Sequence, residues 1–264
     1  MRDAVSAIGL APHNFLLSWI AIGLACGSFV TVLVARIPEG RGIQGRSQCI
    51  SCNKTISARD NIPVISYLIL KGKCRNCKVP ISIRYPLIEL VAMGLVVVAV
   101  QSNEGWWKVL AWVVFSVLGL ALAIIDLQTH RLPNALTAWL FVLIAVTVSG
   151  DILANHHSDR IKMTVISSFA LTVFYFLLNI LSRGGMGMGD VKLAASIGLI
   201  LGYINGSSVI VGTFFGFFFG STISVLMMAT GRATRKTQIP FGPFMLLGAF
   251  VAPWLTPHLV AIFL

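Results

Sequence analysis

Charge is what this chain has least of: 11% of its 264 residues are Asp, Glu, Lys or Arg, only nine of those are acidic, and 56% of the chain is apolar. A soluble protein of this length can bury one good core, but it does not need repeated uncharged runs near the roughly 20 residues that carry a helix across a bilayer. The scarcity of charge therefore argues against a soluble class and points to a polytopic membrane protein. No cleavable signal is expected either. Met1 to Asn14 is short and mixed and ends in Pro12-His13-Asn14, and the apolar run that follows is too long for an h-region, so a true first span is expected. No G-x-G-x-x-G follows a strand and no βαβ pattern is present.

What remains is mostly helix. Apolar runs predict eight spans, at about 15–37, 86–101, 107–125, 134–154, 163–181, 191–204, 207–230 and 242–264, the sixth being short. Alternating sides groups the loops. One face then carries Arg36, nine basic residues in 38–85, Arg131, Arg183, Lys192, Arg232, Arg235 and Lys236; the other carries Arg2, Lys108, Arg160 and Lys162. Sixteen against four of the 20 Lys and Arg is a positive-inside bias that puts both termini outside the cytoplasm. The net charge of +11 thus reads as a topology signal, and the expected surroundings are lipid rather than nucleic acid. Gly23 with Gly27, and Gly212 with Gly216 and Gly220, recur at spacing four, which suits close helix packing in lipid. Pro253 and Pro257 should kink the last helix, and Ile239-Pro240-Phe241-Gly242-Pro243-Phe244 gives a rigid lead-in to it that could border a site.

Of the five cysteines, Cys26 lies in the first span and reads as a buried inert thiol. The other four form Cys49-Ile-Ser-Cys52 and Cys74-Arg-Asn-Cys77, with 21 residues between the pairs. Two such knuckles present four thiolates to a tetrahedral Zn²⁺, a structural site with no open position for water. A disulfide pair is disfavoured by a reducing cytoplasm, and a redox CxxC usually comes singly beside a βαβ unit. A loop this small lacks a core, so the metal would supply its folding energy. Its Lys and Arg residues suit solvent and lipid headgroups, or a ligand. The expected fold is an all-α membrane protein of about eight transmembrane helices, divided as 1–37 (lead-in and first span), 38–85 (cytoplasmic zinc-ribbon-like loop) and 86–264 (a seven-helix core).

Carboxylates at a membrane edge cost several kcal/mol, so a functional role is the default reading. Asp126 closes the third span and Asp190 opens the sixth, both at the cytoplasmic face on this topology. Two close carboxyl groups share one proton, which is what acid–base hydrolysis of a peptide bond requires. The glycines of Gly185-Met186-Gly187-Met188-Gly189-Asp190 would let an extended substrate backbone approach the acid. A transporter's proton relay, or paired structural acids, remain open on the residues alone.

Gly187-Met188-Gly189-Asp190-Val191-Lys192-Leu193 resembles the GxGD motif of type IV prepilin peptidases, aspartic proteases of the inner membrane. The same family is matched, in order along nearly the whole chain, by Gly27-Ser28-Phe29 with Arg36-Ile37-Pro38, the two CxxC pairs, Asn61 to Leu68, Ile81 to Glu89, Asp126 through Leu132-Pro133-Asn134, and Pro240-Phe241-Gly242-Pro243. The resemblance implies that Asp126 and Asp190 are catalytic and that prepilins and type II secretion pseudopilins are the substrates. Their short basic leaders would be cut after a Gly and usually before a Phe, at the cytoplasmic face. Members with the cysteine loop commonly also methylate the new N-terminal amine with S-adenosylmethionine, so that activity is implied too. Gly187, Gly189, Lys192 and Glu89 are the expected substrate-binding or supporting residues. Glu89 would bind the amine or the cofactor, or pair with a nearby base; Lys192 would orient Asp190 or steer substrate, or snorkel to the interface. The competing readings are a peptidase without methyltransferase activity and a proton-coupled transporter with a zinc-stabilised loop.

Overall fold

The structure is a computed structural model and describes residues 15–182, 185–234 and 237–263. Arg2, Arg183, Arg235 and Lys236 of the charge count, and the lead-in 1–14, lie outside the described residues. Among those described, eight long helices account for nearly all regular structure: α1 Leu16–Arg36, α2 Arg84–Gln101, α3 Trp106–Thr129, α4 Asn134–Asn155, α5 Asp159–Leu181, α6 Met188–Ile204, α7 Gly206–Ala229 and α8 Gly242–Phe263. Each covers one expected span, so the fold is all-α, as the apolar runs predict. Seven are long and apolar enough to cross a membrane; α6, with 17 residues, is the short exception foreseen in the sequence.

The chain divides into two compact units, up to Ala121 and from Leu122 onward, so the boundary falls inside α3. In the first unit α1 packs along α2. Gly23 and Gly27 make that approach possible, since a Cβ on either would lie 2.7 Å from the Met93 Cα or 2.5 Å from the Glu89 Cα. Trp19 and Phe15 meet Trp106 at ring-centroid distances of 6.1 and 6.2 Å. At the other end of α1, Arg36 draws the following segment around its guanidinium, donating to the carbonyls of Ile43 (3.1 Å) and Gln44 (2.8 Å).

In the second unit α6 is the hub. It packs against α4, α5, α7 and α8, and twelve of its 17 residues are buried, which is why a short helix suffices there. Small residues again set the distances. A Cβ on Gly198 or Gly202 would strike Ser167 or Ser168 of α5 at 2.7 Å or less, while the Ser168 hydroxyl donates to the Ala195 carbonyl (2.8 Å). Helices α7 and α8 meet where Gly248 leaves no room for a side chain beside Gly216. Pro253 and Pro257 both lie inside α8.

Candidate active site

Asp126 sits one turn before the end of α3 and is 5% exposed. The helix stops because His130 turns into the left-handed region at φ 52°, its N–H still donating to the Asp126 carbonyl (2.8 Å). Leu132 and Pro133 then lead directly into α4. The Asp126 carboxylate accepts the Gly242 N–H at 3.1 Å, so the 239–244 lead-in does border the acid.

Asp190 is 7% exposed and lies in the first turn of α6, three residues after the cap residue Gly187. Its own N–H donates to the Gly187 carbonyl at 3.1 Å, and its carboxylate reaches back to the Gly187 N–H. That reach is the acidic half of a capping box, built by a third-position acid without a Ser or Thr cap. The Asp126 charge acts on Asp190, so the sequence-distant acids lie within electrostatic reach of one another.

Three backbone segments converge here, and Leu132 is the wedge between them. A Cβ on Gly189 would sit 2.7 Å from the Leu132 Cβ; one on Gly242 would sit 2.8 Å from the Asp126 Oδ2 and 3.4 Å from the Leu132 Cδ1. Both glycines are thus demanded by internal packing. Gly187 is different: a Cβ there would meet the Asp190 Oδ2 and the Gly189 nitrogen at an ordinary 3.6 and 3.8 Å. Lys192 does not contact Asp190. Its ammonium donates to Asn134 Oδ1 at 2.6 Å, tying the start of α6 to the start of α4.

Two features of this unit carry no signal in the sequence pattern. Tyr175 of α5, 2% exposed, lies within the electrostatic reach of Asp190 and stacks on Phe217 (5.9 Å, 10°), which in turn packs on Phe241 (4.9 Å). Asp151, a further carboxylate only 1% exposed, accepts from the Tyr203 hydroxyl and from Asn155 Nδ2 (3.0 Å), while Arg160 covers the Tyr203 ring at 5.4 Å. A Tyr or Asp inside an apolar run gives no hint of its partner.

Glu89 and the four cysteines belong to the first unit. Glu89 is 9% exposed and accepts the Val64 N–H at 2.7 Å; the Ser28 hydroxyl also donates to it. Among the described residues no Lys or Arg pairs with it, so the ion pair held open by the sequence is not formed.

The two CxxC segments fold alike. Cys49 N–H donates to the Lys54 carbonyl and Cys74 N–H to the Val79 carbonyl (3.0 and 2.9 Å), and the residue after each second cysteine, Asn53 or Lys78, is left-handed (φ 54° and 61°). Isolated antiparallel bridges, Gln48 to Thr55 and Lys73 to Pro80, close both turns. All four sulfurs lie within 4.8 Å of one another, and the Cys49 and Cys77 sulfurs are 3.7 Å apart. Zinc–sulfur bonds of about 2.3 Å in a tetrahedron put sulfurs about 3.8 Å apart, so the cluster fits the ion. The N–H groups of Cys52 and Ser51 pull the Cys49 thiol down, whereas at Cys77 the Val79 N–H is outweighed by burial and the other three thiols, which push the thiol up. Behind the second knuckle Arg75 grips Asp60 with both carboxylate oxygens (2.6–3.0 Å), which holds Asp60 below the usual carboxylate range.

Residues 21–102 match the model of the bacterial peptidase A24 N-terminal domain, and residues 112–230 that of the type IV leader peptidase family. The chain is 32% identical to the prepilin leader peptidase/N-methyltransferase of Stutzerimonas stutzeri over 273 residues, covering 91% of each chain. Relatives of the same name in Aeromonas hydrophila (33%, 87% of each chain) and Pseudomonas aeruginosa (31%, 91% of this chain and 90% of that one) are similar to the same degree. No solved structure matches it.

Proposed function

Because the chain belongs to the type IV leader peptidase family, we propose that it cuts the leader from type IV prepilins and pseudopilins and methylates the amine so exposed. The observation that carries the peptidase half is the convergence of Asp126 and Asp190, each nearly buried, on one wedge of backbone at Leu132. We assign them as the catalytic couple. One carboxyl is ionised and draws a proton from water; the other is protonated and donates to the scissile carbonyl oxygen. The water oxygen attacks the carbonyl carbon, and the tetrahedral intermediate collapses as the first acid gives its proton to the leaving amine while the second takes one back from a hydroxyl of the intermediate. The open flank at Gly187, where the chain packs nothing closer than 3.6 Å, suits an extended substrate backbone beside Asp190. Gly189 acts indirectly, through Leu132, and Lys192 through Asn134.

The distribution of basic residues supports a site at the cytoplasmic face of the bacterial inner membrane, where a pilin's leader meets its apolar helix, with both termini in the periplasm. Cys49, Cys52, Cys74 and Cys77 would hold one zinc ion, whose contribution is to fold the loop rather than to take part in cleavage. S-adenosylmethionine would supply the methyl group when bound, and this chain's own residues hold the amine that receives it. In vesicles, Asp126→Asn and Asp190→Asn should each lower prepilin cleavage at least about 1,000-fold with helicity unchanged. Processing that survives either substitution would overturn the assignment.

A further inference from the structure

Glu89 is a buried carboxylate without a cation. Two hydrogen bonds, from the Val64 N–H at 2.7 Å and the Ser28 hydroxyl, leave it short of the roughly four it can accept, and an uncompensated buried charge of this kind costs several kcal/mol. The surroundings are built to keep it there. Gly27 lets α1 close onto the Glu89 backbone, which sets Ser28 beside the carboxylate. Val64 adopts φ 59°, ψ −49° inside a γ-turn closed by the Ile65 N–H and the Pro63 carbonyl (2.5 Å), an arrangement rare for a β-branched residue. The turn itself is pinned by Ser66, whose hydroxyl accepts the Ile62 N–H (3.0 Å) and donates to the Arg59 carbonyl (2.9 Å). Strain held in place by its surroundings is characteristic of binding sites.

Beside this group lies a cavity of about 310 Å³ lined by Ala25, Ser28, Phe29, Val32, Asn61 and Pro63. Ser28 spends its hydrogen on Glu89 and so offers lone pairs to the cavity; the Asn61 amide stands at its rim with no side-chain hydrogen bond among the described residues. The other four residues are apolar, and Ala25 and Phe29 are exposed on the outer face of α1. The volume is at the bottom of the roughly 300–1,000 Å³ typical of ligand sites, with room for one amino-acid residue.

We propose that this cavity binds the first residue of the cut pilin, its apolar side chain against Phe29, Val32 and Pro63 and its α-amine on Ser28 and Asn61. Glu89 is a positioning residue that supplies the compensating charge from behind Ser28. The inference rests on the reading that the chain modifies the amine it exposes. It also accords with the separation of the two family matches, since the cavity falls in residues 21–102 and both aspartates in 112–230.

The test is binding without methyl donor: the full chain in lipid nanodiscs, and labelled peptides with the mature pilin N-terminus either free or acetylated, followed by fluorescence anisotropy. The wild type should hold the free-amine peptide at least about tenfold tighter. Glu89→Gln should abolish that difference, and Ala25→Phe, a change on an exposed face that fills the cavity, should weaken both peptides. Dialysis with S-adenosylmethionine should give the same donor affinity in all three proteins. An equal affinity of the wild type for both peptides, or discrimination that survives Glu89→Gln, overturns the proposal; so does a loss of donor affinity in Ala25→Phe, which would make the cavity the donor's. The mass of wild-type product is read separately. A cut pilin without added methyl would reject the methylation reading, while the anisotropy result still decides the site.

Discussion

Gly242→Ala tests how tightly the aspartate couple is positioned. The new Cβ would lie 2.8 Å from the Asp126 Oδ2 and 3.4 Å from the Leu132 Cδ1, whereas ordinary contacts begin near 3.4 Å, so the carboxylate must retreat by about 0.6 Å. Retreat also strains its 3.1 Å hydrogen bond from the Gly242 N–H. Overpacking of this size costs about 1–3 kcal/mol of stability, and a misplacement approaching 1 Å at a reacting group costs up to about 100-fold in rate. The expected outcome is therefore a kcat for prepilin cleavage lower by roughly 10- to 100-fold, with KM little changed and a reduced melting temperature. Gly187→Ala is the internal control, because its Cβ meets nothing in the chain closer than 3.6 Å. It should lose no more than the roughly 1 kcal/mol that alanine costs at a helix cap, and raise KM, since the substrate backbone is obstructed. Wild-type kcat in Gly242→Ala, or matching losses of stability in both variants, would refute the packing argument.

Native mass measurement should show one zinc ion per chain, removed by a strong chelator and missing in Cys74→Ser, with residues 38–85 becoming protease-sensitive in step; an unchanged mass would count against the ribbon. Tyr203→Phe removes a hydroxyl from Asp151, which is 1% exposed, and should cost about 1–3 kcal/mol, read as a lower melting temperature. Asp151 lies about 25 Å along α4 from Asn134 at 1.5 Å per residue, so kcat of the folded fraction should hold; a fall in kcat without a fall in stability would give this network a part in catalysis.

Much of this was legible from composition because a bilayer is a severe filter. Long uncharged runs read as spans, and an acid at a span's edge needs a reason, so all eight helices could be read from residue type and spacing and both aspartates singled out as candidates. The CxxC pairs were legible for a similar reason, since four thiols at that spacing have few other uses. What could not be read is which small residues serve packing and which serve the site. Gly189 and Gly187 are alike in the sequence, yet one is filled by Leu132 and the other faces open space. Lys192 lies two residues from Asp190 in the chain, but positions two apart on a helix do not share a face, and its partner proves to be Asn134. Leu132 itself is an unremarkable leucine until the fold sets it between two glycines.

That wedge gives the sharpest test of why no cation is set between the two acids. Asp126 and Asp190 each have a backbone N–H to orient them, from Gly242 and Gly187, and among the described residues neither forms an ion pair, although the His130 charge reaches Asp126. A hydrogen bond from a neutral N–H fixes geometry, but an ammonium between the acids would let both ionise, and the couple would lose the proton it must donate to the scissile carbonyl. Leu132→Lys puts such a charge there at similar volume, with two carboxylates to compensate it, so the variant should fold. Leu132→Met is the matched neutral change. Cleavage near wild type in the methionine variant and a loss of at least about 100-fold in the lysine variant, with both melting as the wild type does, is the expected result. A lysine variant that still processes prepilin would mean that the two acids need not share a proton, and the acid–base scheme would have to be replaced.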